Sequence, residues 1–250
     1  DIVVINWSCM IGNLKVLALI PARGGSKGIP NKNIVDIDGK SLISYSIKHA
    51  IESKFCDRVV VSSDSDEINK IAKEFGAEVL FKRPSDIAQA ETLDYPVFEH
   101  ALNFLSKNEK WYPDIVVHLR PTSPYRNKSL VDDGIELLFN SDNVDSVRSV
   151  SLVDQHPYRM FKMGSDGLIS PYVETKDKEP FLLRRQDLPD LYYYNCVLDV
   201  TWSKTIVKKR SMTGSKIKPL IMNHDDSYDI DTEHDLNVIR SLALNKKIKL

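Results

Sequence analysis

The chain has 250 residues, 42% of them hydrophobic, and 34 basic side chains stand against 35 acidic for a net charge of −1. That is enough apolar material for one sizeable core. The near balance excludes a global basic field, so nucleic acid is not an expected partner, and no apolar run reaches the roughly 18–20 residues of a membrane span.

In chain order, the first nine residues precede Met10 and are expected to be an upstream segment, with one domain over residues 10–250. VLALI, residues 16–20, reads as a buried strand, and Ser41 opens a helix that runs to Glu52. RVVVSS (58–63) is a second strand, residues 67–75 a helix, AEVLF (77–81) a third strand, 93–105 a helix and DIVVHL (114–119) a fourth strand. Ser129 opens another helix through Phe139. The strands are β-branched runs with few charges, as expected when helices cover both faces. The pattern predicts an α/β fold with a doubly wound, mostly parallel sheet.

From about residue 151 to 190 the rhythm breaks, and Gly164, Gly167, Pro171, Pro180 and Pro189 punctuate short extended pieces. This predicts a hairpin-like excursion. Strands return at 192–200 and, interrupted by Pro219, at 217–222; a last helix covers 232–244. Cys9, Cys56 and Cys196 are widely spaced and odd in number, so neither a disulfide framework nor a cysteine metal site is expected, and a reducing cytoplasm is the simplest setting.

Two stretches carry chemistry. LIPARGGSKGIPNKN (19–33) sets Arg23, Lys27 and Lys32 among Gly24, Gly25 and Gly28 where a strand ends. Glycine permits close backbone approach, exposed N–H groups cradle anions, and guanidinium and ammonium groups meet phosphate oxygens. Neither GxxxxGK[ST] nor GxGxxG occurs here, and the loop by itself is either a triphosphate cradle or a basic surface turn. SYDIDTEHDL (227–236) alternates Asp229 and Asp231 around Ile230. If extended, both carboxylates share a face while Ile230 points inward. Such a pair suits Mg²⁺ bound with substrate phosphates. The other reading is that Asp231 or Thr232 merely caps the last helix. The six histidines show no HxxxH spacing, and Gly24-Gly25-Ser26-Lys27-Gly28 matches the GxSxG string of a nucleophile elbow only superficially.

With SSDSDEI (62–68), LRPTSPYR (119–126) and RRQDLPDLYYYN (184–195), these strings make the chain resemble the acylneuraminate cytidylyltransferases, across residues 14–245 and in order. The resemblance implies transfer of CMP from CTP to the anomeric hydroxyl of a nine-carbon α-keto sugar acid, with release of pyrophosphate. It implies that Arg23, Gly24, Ser26, Lys27, Lys32 and Asn33 hold the nucleotide, with Arg23 and Lys32 catalytic, and that Arg83 lies near the cytosine pocket. Asp229 and Asp231 match the metal pair, Asp231 being catalytic, with Mg²⁺ as cofactor. Arg120, Arg185 and Asn195 fall on the sugar-acid side. The region 151–190 coincides with the segment by which such proteins form a homodimer, with Tyr158, Phe161, Leu168, Ile169 and Tyr172 as apolar contacts.

The chain also departs from that pattern. Arg120 stands where the family often has glutamine, and Tyr193 where it often has arginine. Sialic, legionaminic, pseudaminic and related nonulosonic acids all stay open as substrates. A CMP-Kdo synthetase and a nucleotide-binding module without catalysis are the alternatives.

Overall fold

A computed structural model describes residues 11–26 and 28–245; residues 1–10, Lys27 and the C-terminal lysines of 246–250 lie outside them. In chain order the strands are β1 (Val16–Pro21), β2 (Asp36–Ile37), β3 (Lys40–Ser41), β4 (Arg58–Ser62), β5 (Ile115–His118), β6 (Ser146–Leu152), β7 (Phe161–Met163), β8 (Ile169–Pro171), β9 (Tyr192–Trp202) and β10 (Ile217–Met222). The helices are α1 (Leu42–Ile51), α2 (Asp66–Glu74), α3 (Asp94–Glu109), α4 (Leu130–Phe139), α5 (Ser203–Lys209) and α6 (Glu233–Leu244).

Six strands form the central sheet in the order β10-β6-β9-β5-β1-β4. β1 pairs in parallel with β4 and β5, and β10 with β6, while β9 is antiparallel to both β5 and β6. β9 therefore runs against the other five, and the mostly parallel sheet is as expected. Along β1 the side chains divide strictly. Val16, Ala18 and Ile20 join one buried cluster with residues of α1 and α4; Leu17 and Leu19 join a second with Val97, Phe98 and Leu105 of α3. A strand whose odd and even residues are both buried needs a helix on each face, which is why it reads as an unbroken apolar run.

Two expectations are corrected. Residues 77–81 form no strand: one parallel bridge, Val60 to Glu78, is made before the chain leaves the sheet. Phe81 instead packs its ring on His100 and Phe104 of α3, at 4.6 and 5.0 Å between centroids. Ser41 and Ser129 occupy the N-cap positions of α1 and α4, but neither side chain makes a capping bond. The structure also adds β6 and α5, which the sequence pattern did not reveal. β6 hides because Ser146, Ser149 and Ser151 supply three of its fully buried positions.

Between β6 and β9 the chain makes its excursion, with β7 and β8 as a short antiparallel hairpin. Pro219 is tolerated because β10 lies at an edge of the sheet.

Candidate active site

The loops that follow β1, β4, β5 and β10 all leave the same edge of the sheet, where ligands bind in such folds. After β1, the main chain continues alongside β4 through Ala22 N–H to the Ser62 carbonyl at 2.9 Å. The loop is then fixed by its own polar groups. Gly24 N–H donates to Asp64 Oδ1 at 2.8 Å, and Asn33 Nδ2 donates to the Arg23 carbonyl at 2.8 Å. Gly25 has φ of +61°, a left-handed turn that glycine adopts at little cost, and Arg23 Nη1 donates to its carbonyl at 2.7 Å.

Gly28 explains itself by what it touches. A Cβ there would come within 2.7 Å of the Asp231 carbonyl oxygen, so only glycine lets the basic loop lie against the acidic run. Lys32 crosses the same seam: its Nζ donates to the Ile230 carbonyl and to Asp231 Oδ1, both at 2.9 Å. The two stretches, some 200 residues apart, are one surface.

The acidic run belongs to no strand or helix, yet Ile230 points inward, as an alternation would have it. Ile230 is fully buried with Ile29, Ile37, Leu42, Tyr45 and Leu236, and its N–H donates to the Thr122 carbonyl at 2.9 Å. That pins the flanking carboxylates at the cleft. The capping alternative falls to Thr232, whose hydroxyl accepts from Asp235 N–H while Asp235 answers to the Thr232 N–H, a reciprocal box. Asp231 is left with its carboxylate 73% exposed and, among the described residues, held only by Lys32. Asp229 is more enclosed. Burial raises its pKa above the ordinary carboxylate value, a hydrogen bond from Thr122 opposes this, and the nearby Asp231 charge adds to it.

Together these pieces wall a cleft of ≈ 340 Å³. Arg23, Ser26, Gly28, Lys32 and Asn33 line it from the basic loop, and Arg83, Arg120 and Asp231 line it from elsewhere. Asp229 sits just beside it, 3.5 Å from Ser123 Oγ. Gly24 supports the loop from behind.

Arg83 is buried, its Nε donating to Ser62 Oγ at 3.1 Å; burial lowers its pKa to about 10, against the pull of Asp64 and Asp94, so it stays a cation at neutral pH. Arg120 gives Nη2 to Asp94 Oδ2 at 2.6 Å and Nη1 to Asp199 Oδ2 at 3.2 Å and to the Tyr194 hydroxyl. Burial works against its charge, but Tyr194, Asp94 and Asp199 outweigh it and hold the pKa above the ordinary value.

Beyond Gly24 and Asp229, two further expected residues are not brought into the cleft. Asn195 is buried in β9, where it bonds to the Ser149 and Ser151 hydroxyls at 2.6 and 2.9 Å. Arg185 lies exposed on a short turn of the excursion. Conversely, Arg126 carries more than its string suggested. Fully buried, it donates to the carbonyls of Arg120, Ser123 and Val197 and to Ser46 Oγ, so it braces the 120–126 loop from inside, and burial drops its pKa to about 9. Asp94, Thr122 and Gln89 also reach the cleft region without having been singled out. For Thr122 the signal was present in LRPTSPYR.

A family profile described as Cytidylyltransferase matches residues 17–248. This chain belongs to that family.

The cytidylyltransferase is 33% identical over 226 residues to the CMP-N,N'-diacetyllegionaminic acid synthase of Legionella pneumophila subsp. pneumophila, covering 89% of this chain and 93% of that protein. It is 31% identical over 239 residues to an N-acylneuraminate cytidylyltransferase of Streptococcus agalactiae serotype V, where the match takes in 94% of this chain but about half, 55%, of the relative. A solved CMP:2-keto-3-deoxy-manno-octonic acid synthetase complexed with CTP has the same fold, with TM-score 0.69, 15% identity and coverage of 93% of this chain and 99% of that one. This protein is accordingly a nucleotidyltransferase.

Proposed function

We propose that this cytidylyltransferase transfers CMP from CTP to the anomeric hydroxyl of a nine-carbon α-keto sugar acid of the sialic or legionaminic kind. The observation that carries the reading is the contact of Lys32 with Asp231, which brings the basic loop against the acidic run at the cleft. The relatives named above, at about 30% identity over nearly the whole chain, support the same substrate class.

The sugar hydroxyl attacks the α-phosphorus; the new C–O–P bond forms as the bond from that phosphorus to the β-phosphate oxygen breaks. Arg23, Ser26, Lys27, Lys32 and Asn33 hold and orient the triphosphate, and Arg23 and Lys32 offset the charge that grows on the leaving pyrophosphate. Arg83 lies on the base side. The donors present are of the kind a magnesium ion takes together with substrate phosphates: two carboxylates, Asp231 open to the cleft and Asp229 enclosed beside it. Asp229 and Asp231 would hold it. When bound, it supplies positive charge at the reacting phosphates.

On the sugar-acid side we place Arg120 and Arg185. Arg185, exposed on the excursion, serves a site across a homodimer, so that residues 151–190 of each copy reach over the other's cleft. Residues 10–250 act as one cytoplasmic domain. No helix among the described residues is long and apolar enough to cross a membrane.

The test is pyrophosphate release with each of the four nucleoside triphosphates, Mg²⁺ and a panel of nonulosonic acids. Release with CTP and at least one nine-carbon acid is expected. No release above background with any acid overturns the reading, and release with Kdo alone reassigns the acceptor to the eight-carbon class.

A further inference from the structure

The wall of the cleft between Arg83 and the basic loop carries a carboxylate that the reaction above does not use. Asp94 is the first residue of α3, where the helix N-terminus favours negative charge, and its side chain is 40% exposed on the cleft. Its Oδ2 is engaged by Arg120 at 2.6 Å. Among the described residues no hydrogen bond reaches Oδ1.

What stands behind Asp94 is a closed charge network. The other side of the Arg120 guanidinium bonds to Asp199, which is almost wholly buried and also accepts Arg148 Nε at 2.7 Å. Arg148 lies over the Tyr194 ring, 3.8 Å from its centroid. Two guanidinium groups face two carboxylates, Arg120 and Arg148 against Asp94 and Asp199, so the set is neutral. His118 lies against both carboxylates, Nδ1 3.8 Å from Asp199 and 4.0 Å from Asp94, sealed from solvent and without a hydrogen bond of its own.

The outcome is that position 120 does not present a free cation. Arg120 also lines the cleft but is spent on the network, and the more exposed Asp94 beside it offers the cleft an acceptor oxygen. An incoming carboxylate would meet a like charge and have to break an ion pair; a hydroxyl or N–H would find a charged, pre-positioned partner. We infer that Asp94, held by Arg120, is a specificity-determining residue that accepts a hydrogen bond from a hydroxyl or N–H of a bound substrate. The inference rests on the transferase reading above. Arg120 is then a positioning residue, acting through the acceptor that it holds. The donor belongs either to the ribose of the nucleotide or to the acceptor sugar, two sources of one chemistry.

Kinetics of pyrophosphate release by the full chain and by Asp94→Asn separate them, using CTP, 2′-deoxy-CTP and 3′-deoxy-CTP, and acceptor acids that differ in one hydroxyl or acylamino group. The variant is expected to raise the KM of one substrate about 10- to 100-fold, the scale of a hydrogen bond to a charged group, and to erase preference for the donor-bearing form of that substrate alone. Loss of the ribose preference assigns the donor to the nucleotide; loss of preference among acids assigns it to the sugar. Arg120→Gln should weaken the same preference and leave the other intact. If Asp94→Asn lowers only the melting temperature and leaves both preferences unchanged, Asp94 is an ion-pair strut and the inference is wrong. Should Asp94→Asn not fold, Asp94→Glu keeps the charge but shifts the oxygen by a methylene, and unchanged preferences there overturn the inference equally. An unaltered protein that releases no pyrophosphate with any acid is a different result, the failure of the transferase reading itself.

Discussion

The cleft and the excursion are built on opposite terms. At the cleft nearly every polar group is matched within the chain: Asn33 to Arg23, Asp64 to Gly24, Lys32 to Ile230 and Asp231, Arg120 to Asp94 and Asp199. The excursion leaves apolar side chains in solvent, with Met163 76% and Leu168 70% exposed beside Ile169 and Tyr172. Buried polar groups must find partners locally, so the cleft is rigid before substrate arrives. An exposed apolar patch has no such partner and marks a surface that meets another. Nucleotide binding should therefore belong to the single chain, and completion of the sugar side to the proposed dimer.

The harshest way to break this contrast is at the seam of the cleft. Asp231→Ala removes an exposed carboxylate that packs nothing, so turnover should fall by at least about three orders of magnitude while the melting temperature barely moves. Rates near normal at saturating Mg²⁺ would refute its place beside the phosphates. Arg23→Ala should lose about two to four orders of magnitude in kcat/KM for CTP, the scale of a lost charge contact in the transition state; a change confined to sugar-acid affinity would move Arg23 to the other half of the site.

Next comes the excursion. Sedimentation equilibrium should show a dimer for the unaltered chain and a monomer for Met163→Asp combined with Leu168→Asp, with calorimetric CTP affinity retained within about threefold. CTP affinity lost together with the dimer would erase the contrast. A smaller effect is expected of Gly28→Ala. Its Cβ would press on the Asp231 carbonyl at 2.7 Å, so the basic loop and acidic run must separate at a cost of about 1–3 kcal/mol, visible as a lower melting temperature and weaker CTP binding.

The mildest test is pH. Burial, followed by the neighbouring Arg120, drives the pKa of His118 well below 6.5, and burial with Arg126 takes His49 from 6.5 to about 4. Both are neutral when folded. Below about pH 6.5 the unfolded chain binds the protons that the folded chain refuses, so stability is full above that value and falls as pH drops, by at most about 1.4 kcal/mol per unit for each histidine. Thermal unfolding between pH 7 and 5 should show a shallower acid loss in His118→Leu than in the parent. Equal slopes would mean that His118 takes up its proton without unfolding.

Much of this was legible in the linear chain. β1, β4 and β5 carry unbroken apolar runs, Val16–Ile20, Val59–Val61 and Ile115–Val117, because both faces of the sheet are covered. The alternation Asp229-Ile230-Asp231 put the isoleucine inside and Asp231 in the open, while Asp229 is half-buried. What failed has a common cause. AEVLF has a strand's composition, but Phe81 gains more from the α3 rings than the sheet edge offers, and β6 is a strand despite its serines because their hydroxyls are bonded inside, Ser149 to Asn195 among them. Composition reports local preference, and tertiary partners override it.

By itself the sequence determined the layered α/β fold, the basic loop and the acidic pair, since each is written in contiguous residues whose spacing states its geometry. Only the tertiary structure decided that Gly28 must lack a side chain, that Thr232 and not Asp231 caps α6, and that Arg120 is already paired. Those outcomes depend on which distant group lies within about 3 Å of another, and that distance is set by packing rather than by position along the chain.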